Sequence, residues 1–123
     1  MNKPTIVLGA NNNPEKYAYK AVDFLQGLGQ TIYPVGIKSG EVLGLKIEQD
    51  FSHLIHLKNI DTVSLYVGPQ NQTNWIQAII DLKPKRVIFN PGTENQDFEE
   101  LLEANCIEAI EACTLVMVRT GQY

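Results

Sequence analysis

The residues Gly9-Ala10-Asn11-Asn12-Asn13-Pro14 offer the most readable chemistry in this chain. They follow a short apolar run, Thr5-Ile6-Val7-Leu8, and precede a helix-forming stretch. A strand, a small polar turn and a helix start together suit an anion of phosphate size. The first N–H groups of a helix lack intrahelical partners, and its dipole favours negative charge. The turn is not the dinucleotide fingerprint. Counted from Gly9, G-x-G-x-x-G requires glycines where Asn11 and Pro14 stand. NAD sites also place an acidic residue at the end of the second strand to hold the ribose hydroxyls. Here that strand ends Tyr33-Pro34-Val35-Gly36, with no Asp or Glu and no Arg for NADP. The expectation is a nucleotide-binding domain that does not bind NAD in the usual way.

Two lysines fall near the same predicted edge. Lys38 lies between Gly36 and Gly40, where an ammonium can hold a phosphate as a point charge. Lys16 lies in the expected first turn of the first helix, a position that a bound anion makes more favourable. Other candidate chemistry is sparse. His53 and His56 are three residues apart, with no further ligands that the sequence places beside them, so a surface role is expected. No nucleophile elbow G-x-S-x-G exists. Glu99, Glu100 and Glu103 read as the solvated side of a helix. Cys113 follows Glu111-Ala112 in apolar company, where a small buried residue is the expectation.

The elements that must position these residues alternate in type. Strands are expected at Thr5–Leu8, Thr31–Val35, Thr62–Val67, Arg86–Phe89 and Ile107–Ile110. The first expected helix runs from about Glu15 to Leu28, with Tyr17, Ala21, Phe24, Leu25 and Leu28 as its apolar face and Gly29 closing it. Residues 36–44 read as a flexible loop, and Ser52 as the cap of one helical turn. A second helix is expected from Pro69 to Leu82, broken by Lys83-Pro84, with Trp75, Ile76, Ile79, Ile80 and Leu82 buried. A third is expected over Asn95–Ala104, and Cys113–Val118 as a helical turn or a sixth strand. Strands that alternate with helices predict a three-layer α/β fold, a doubly wound Rossmann-like parallel sheet of about five strands. The 123 residues suit one domain, 1–123. In such a sheet the ligand lies beyond the carboxyl ends of the strands, where the Gly-, Pro- and Asn-rich loops converge.

Bulk properties narrow the partners. A formal charge of -4 gives no basic footprint, so nucleic acid is not expected. The apolar runs are too short to span a bilayer, and no signal peptide is visible. Cys106 and Cys113 show no metal or C-x-x-C spacing, which fits a reduced, cytoplasmic setting.

The loops resemble those of the small single-domain CoA-binding proteins of Rossmann type, similar to the N-terminal domain of the succinyl-CoA synthetase α subunit. The resemblance spans essentially the whole chain. It rests on Leu8-Gly9-Ala10-Asn11-Asn12-Asn13-Pro14-Glu15-Lys16-Tyr17, on Tyr33-Pro34-Val35-Gly36 with Lys38 and Gly44, and on Tyr66-Val67-Gly68-Pro69. Phe89-Asn90-Pro91-Gly92-Thr93 and Glu111-Ala112-Cys113-Thr114-Leu115 complete it. The family often has Ser where Asn11 stands, and Asn then Pro from the position of Gly36.

The resemblance implies that Gly9, Ala10 and the loop Asn11, Asn12, Asn13, Pro14, with Lys16 beside it, face the CoA diphosphate. Val35, Gly36 and Lys38 form the second loop, whose lysine contacts a CoA phosphate. Tyr66, Val67 and Pro69 border the nucleotide end. Asn90, Pro91 and Gly92 line the CoA groove. The phosphorylated histidine of the synthetase belongs to its other domain and has no counterpart here. Binding of CoA or acyl-CoA without turnover is therefore expected. The alternatives are an NAD(P)-linked small-molecule enzyme, a protein-interaction module without ligand, and a CoA protein in which Cys113 forms a mixed disulfide with the CoA thiol.

Overall fold

A computed structural model describes residues 2–123. Five parallel strands form one sheet: β1 (Thr5–Leu8), β2 (Ile32–Val35), β5 (Thr62–Leu65), β6 (Arg86–Phe89) and β7 (Glu108–Glu111), in the order β2-β1-β5-β6-β7. The three central strands β1, β5 and β6 are buried at every residue. Alternate side chains feed opposite layers, as strand geometry demands. Ile6, Leu8, Val63, Leu65, Val87 and Phe89 pack against α2 (Thr73–Leu82) and α3 (Gln96–Ala104). Val7 and Ile88 face α1 (Tyr17–Gly27) and α4 (Thr114–Arg119). The expected three-layer α/β Rossmann-like architecture is thus the observed one. Among the described residues, no helix is long and apolar enough to cross a membrane.

The local differences from expectation have identifiable causes. Helix α1 begins at Tyr17, because Asn11 and Asn13 turn the chain first. The Asn11 Oδ1 accepts from the Asn13 N–H at 2.7 Å, and the Asn13 Oδ1 accepts from the Glu15 N–H at 3.0 Å. Such local bonds compete with helix formation. The buried face of α1 is Ala18, Ala21, Val22 and Leu25. Tyr17 and Leu28, at the two ends, are exposed. Gly29, at φ 79°, ends the helix as expected, and Gln30 N–H reaches back to Leu25 O at 3.0 Å.

Residues 36–44 are not wholly loop. Strands β3 (Glu41–Val42) and β4 (Leu45–Lys46) form an antiparallel hairpin around Leu43-Gly44. A bridge from Val35 to Glu48 returns the chain beside β2. Asp50, not Ser52, caps the next turn, accepting from both the N–H and the hydroxyl of Ser52. These bonds hold the Asp50 carboxyl below its ordinary range.

The helix expected from Pro69 is split into a 3-10 turn, Pro69–Asn71, and α2. Gln72 lies between them with its side chain buried, donating to Val67 O and Thr93 O at 2.8 Å each. Within α2, Ile79 and Leu82 are buried, while Trp75, Ile76 and Ile80 pack half-buried against the core. Strand β5 ends at Leu65 and β7 is shifted one residue beyond expectation, to Glu111. Helix α3 starts after Asn95, whose Oδ1 accepts from Phe98 N–H. Glu99 is not simply solvated: it accepts from Asn95 N–H at 3.1 Å in a reciprocal cap. Burial, and then neighbouring Glu111, raise its carboxyl above the ordinary range. The segment after Cys113 is helical.

The lower edge of the sheet is sealed by Tyr123. Its phenol meets the Thr5 hydroxyl, and the Arg86 guanidinium lies 4.5 Å from its ring centroid. Arg86 also donates to Tyr123 O at 2.8 Å and to the Thr62 hydroxyl at 2.8 Å. Truncation at Tyr123 removes a buried ring, its contact with the Thr5 hydroxyl and the aromatic face beside the Arg86 guanidinium. Tyr123→Ala is expected to lower unfolding stability by about 3 kcal/mol in urea titration.

Candidate functional site

Strand β1 leads through α1 to β2 on one side, while β5 leads through α2 to β6 on the other. The crevice beyond β1 and β5 is therefore the switch point where ligands bind in open α/β sheets. A cleft of about 640 Å³ opens there. Its first wall is Gly9, Ala10, Asn11 and Asn12. Its second is Gly36, Ile37, Lys38 and Ser39, backed by Ile47. Its third is Val67, the turn Gln70-Asn71 and the first residues of α2, Thr73 to Trp75. Trp75 is supported from behind by Phe51, with ring centroids 5.4 Å apart.

Two glycines let the walls meet. Gly9 has φ 96°, and a Cβ there would lie 3.1 Å from the Tyr66 carbonyl carbon. A Cβ on Gly36 would lie 2.7 Å from the Ala10 carbonyl oxygen. The Gly9 and Ala10 N–H groups both donate to Val35 O, at 2.8 and 2.9 Å. These two N–H groups are thus committed to the fold. Uncommitted donors include the Asn11 and Asn12 amides and, across the cleft, those of Lys38 and Ser39. Among the described residues these four N–H groups have no hydrogen-bond partner. The Lys38 ammonium is exposed and takes part in neither ion pair found among those residues, Lys46–Glu48 and Arg86–Asp61. No Asp, Glu, His or Cys lines the cleft.

The other expected contacts divide. Asn13, Pro14 and Lys16 are exposed and line no cavity described here, because the asparagine turns carry them away before α1 starts. Val35 is buried and contributes its carbonyl internally. Pro69 and Gly92 are exposed outside both cavities. Tyr66, Asn90 and Pro91 line a second, smaller cavity of about 210 Å³ with Tyr17, Cys113 and Leu115. The first turn of α1, the helix start expected at the site, is not in the lining of the cleft. The helix whose first turn lines the cleft is α2. The polar run Gln70-Asn71-Gln72-Thr73-Asn74 after Pro69, free of acidic residues, was the available signal.

Asn90 is held inside the protein. Its amide donates to Ser64 Oγ at 3.0 Å and Leu65 O at 2.9 Å, and its Oδ1 accepts from Thr114 N–H at 2.8 Å. It ties β5 and β6 to the start of α4. Nearby, the Tyr66 phenol is buried without a hydrogen bond of good geometry, although the Ser64 and Thr114 hydroxyls lie beside it. Burial pushes it up to about 12, so it stays protonated. His53 and His56 are exposed on the turn after Asp50.

The strand order and the crevice define a Rossmann-like α/β domain with a cleft at its switch point. Residues 3–119 match the CoA binding domain family, and the chain belongs to that family. The whole chain also superposes on a crystal structure of an uncharacterized protein, at 46% identity and TM-score 0.95, covering 100% of this chain and 99% of that one. A Thermus thermophilus structure, cell-free ID.343, shares the fold at 21% identity and TM-score 0.83, covering 98% and 90%. The dinucleotide-forming acetyl-coenzyme A synthetase 1 of Ca. Korarchaeum cryptofilum, solved with phosphate and ADP, matches at 18% identity and TM-score 0.71. That match covers 89% of this chain and 25% of the synthetase. No curated protein matches the chain.

Two substitutions separate wall from scaffold. Gly36→Ala forces the second wall off Ala10 and is expected to cost about 1–3 kcal/mol of stability and to weaken ligand binding at the cleft. Asn90→Ala leaves a buried amide and carbonyl unpaired and is expected to cost about 2–4 kcal/mol. Urea unfolding with and without ligand checks both.

Proposed function

We propose that the chain, residues 1–123, is a single coenzyme A-binding domain that takes CoA or acyl-CoA in the 640 Å³ cleft. It acts as a non-catalytic binding or regulatory module of the cytoplasm. The observation that carries the reading is the set of unpartnered amides on facing walls, Asn11 and Asn12 against Lys38 and Ser39, with one free ammonium among them. Such donors suit a diphosphate, which accepts from backbone N–H groups and from a point charge. Membership of the CoA binding domain family supports the same ligand. The half-buried Trp75 and the apolar Ile37, Ile47 and Val67 give the rest of a nucleotide apolar surface to cover.

The absence of acids, histidines and thiols from the lining favours binding over turnover. NAD is disfavoured because β2 ends at Val35-Gly36 with no carboxylate for the ribose.

Titration calorimetry with CoA, NAD and ATP tests the reading. Selective binding of CoA is expected, and binding of NAD without CoA overturns it. Lys38→Glu reverses the one charge in the cleft and is expected to weaken CoA roughly tenfold to a hundredfold, with thermal stability unchanged. Unaltered affinity in that variant removes Lys38 from the phosphate contacts.

A further inference from the structure

The smaller cavity lies at the same carboxyl edge of the sheet as the cleft. The chain passes from one to the other in a single step, since Tyr66 lines the cavity and Val67 lines the cleft. Gly9, on the first wall of the cleft, lies directly against the Tyr66 backbone. The cavity has no charged residue in its lining. Its one amide, Asn90, spends both donors and its oxygen on Ser64, Leu65 and Thr114. The Tyr66 hydroxyl is buried away from solvent. What remains is the faces of Tyr17, Tyr66, Pro91 and Leu115 and the Cys113 thiol.

A phosphate placed there would lose its water and gain no charged partner, a costly exchange. An alkyl chain loses nothing by leaving water. We propose that this cavity receives the acyl group of a short-chain acyl thioester whose diphosphate occupies the cleft. The inference rests on the CoA reading given above. The cavity has about a third of the volume of the cleft, 210 against 640 Å³, which suits a short chain. The ligand class is therefore a short-chain acyl-CoA, in preference to free CoA or a fatty acyl-CoA.

Calorimetry on the unmodified protein with CoA, acetyl-CoA, butyryl-CoA, hexanoyl-CoA and palmitoyl-CoA reads this directly. Affinity is expected to rise roughly fourfold per methylene from acetyl to hexanoyl, and palmitoyl-CoA is expected to bind no better than hexanoyl-CoA. In Cys113→Phe, whose ring fills the cavity, the ratio of hexanoyl-CoA to CoA affinity is expected to fall to about one. If CoA binds and the series is flat, the acyl cavity is wrong and the CoA reading stands. A rise that continues to palmitoyl-CoA, or that persists in Cys113→Phe, also overturns the cavity, because the chain then lies elsewhere. If none of the thioesters and no free CoA binds, the CoA reading itself fails.

Discussion

The Val35 carbonyl accepts two hydrogen bonds, from Gly9 and Ala10, and the carboxyl edge of the sheet is organised around that junction. It pins the end of β1 to the end of β2. On the other side Gly9 is pressed against the Tyr66 backbone, so the end of β1 is fixed to β5 as well. Three loops that are far apart in sequence become walls of one cleft. Both approaches demand the absence of a side chain, at Gly9 and at Gly36. Because the junction consumes the first two amides of the loop, the donors left for a ligand begin at Asn11. The departure of this chain from Ser to Asn at that position thus falls where the free donors start.

Two buried amide side chains hold the remaining loops. Asn90 joins β5, β6 and α4, while Gln72 joins the loop after β5 to Thr93, and accepts from Asn95 at 2.9 Å. Each spends two of its three hydrogen bonds on backbone groups and the third on a side chain, so its buried polar atoms are satisfied. The cleft and the smaller cavity are therefore bordered by scaffolding residues that resemble ligand contacts in sequence. Polar type and loop position do not separate the two roles; hydrogen-bond saturation does.

The central strands were legible because β1 is a continuous apolar or β-branched run and β5 and β6 are mostly so, the pattern of strands covered on both faces. The alternation with amphipathic helices then left few topologies, and the CoA binding domain family has the expected architecture. Less legible were features that depend on distant partners. Gln72 sits in a run of polar residues and looks solvated, yet its neighbours Thr93 and Asn95 arrive more than twenty positions later. The start of α1 was misplaced because Asn11 and Asn13 each build a turn from their own side chains, a choice that helix periodicity does not register. Glu99 reads as solvent-facing from its place on the helix, and only the position of Asn95 shows it to be a cap.

Tyr123 closes the lower end of the same strands whose upper ends form the cleft. Its contact with Thr5 joins residues 118 positions apart. The closure entropy of such a long loop grows only with the logarithm of its length, but long-range contacts of this kind slow folding. Thr5, Thr62 and Arg86, which the seal covers, lie a strand's length from the junction at Val35. The seal and the cleft thus occupy opposite poles of one sheet, so a substitution at the lower pole can change stability without redrawing the cleft.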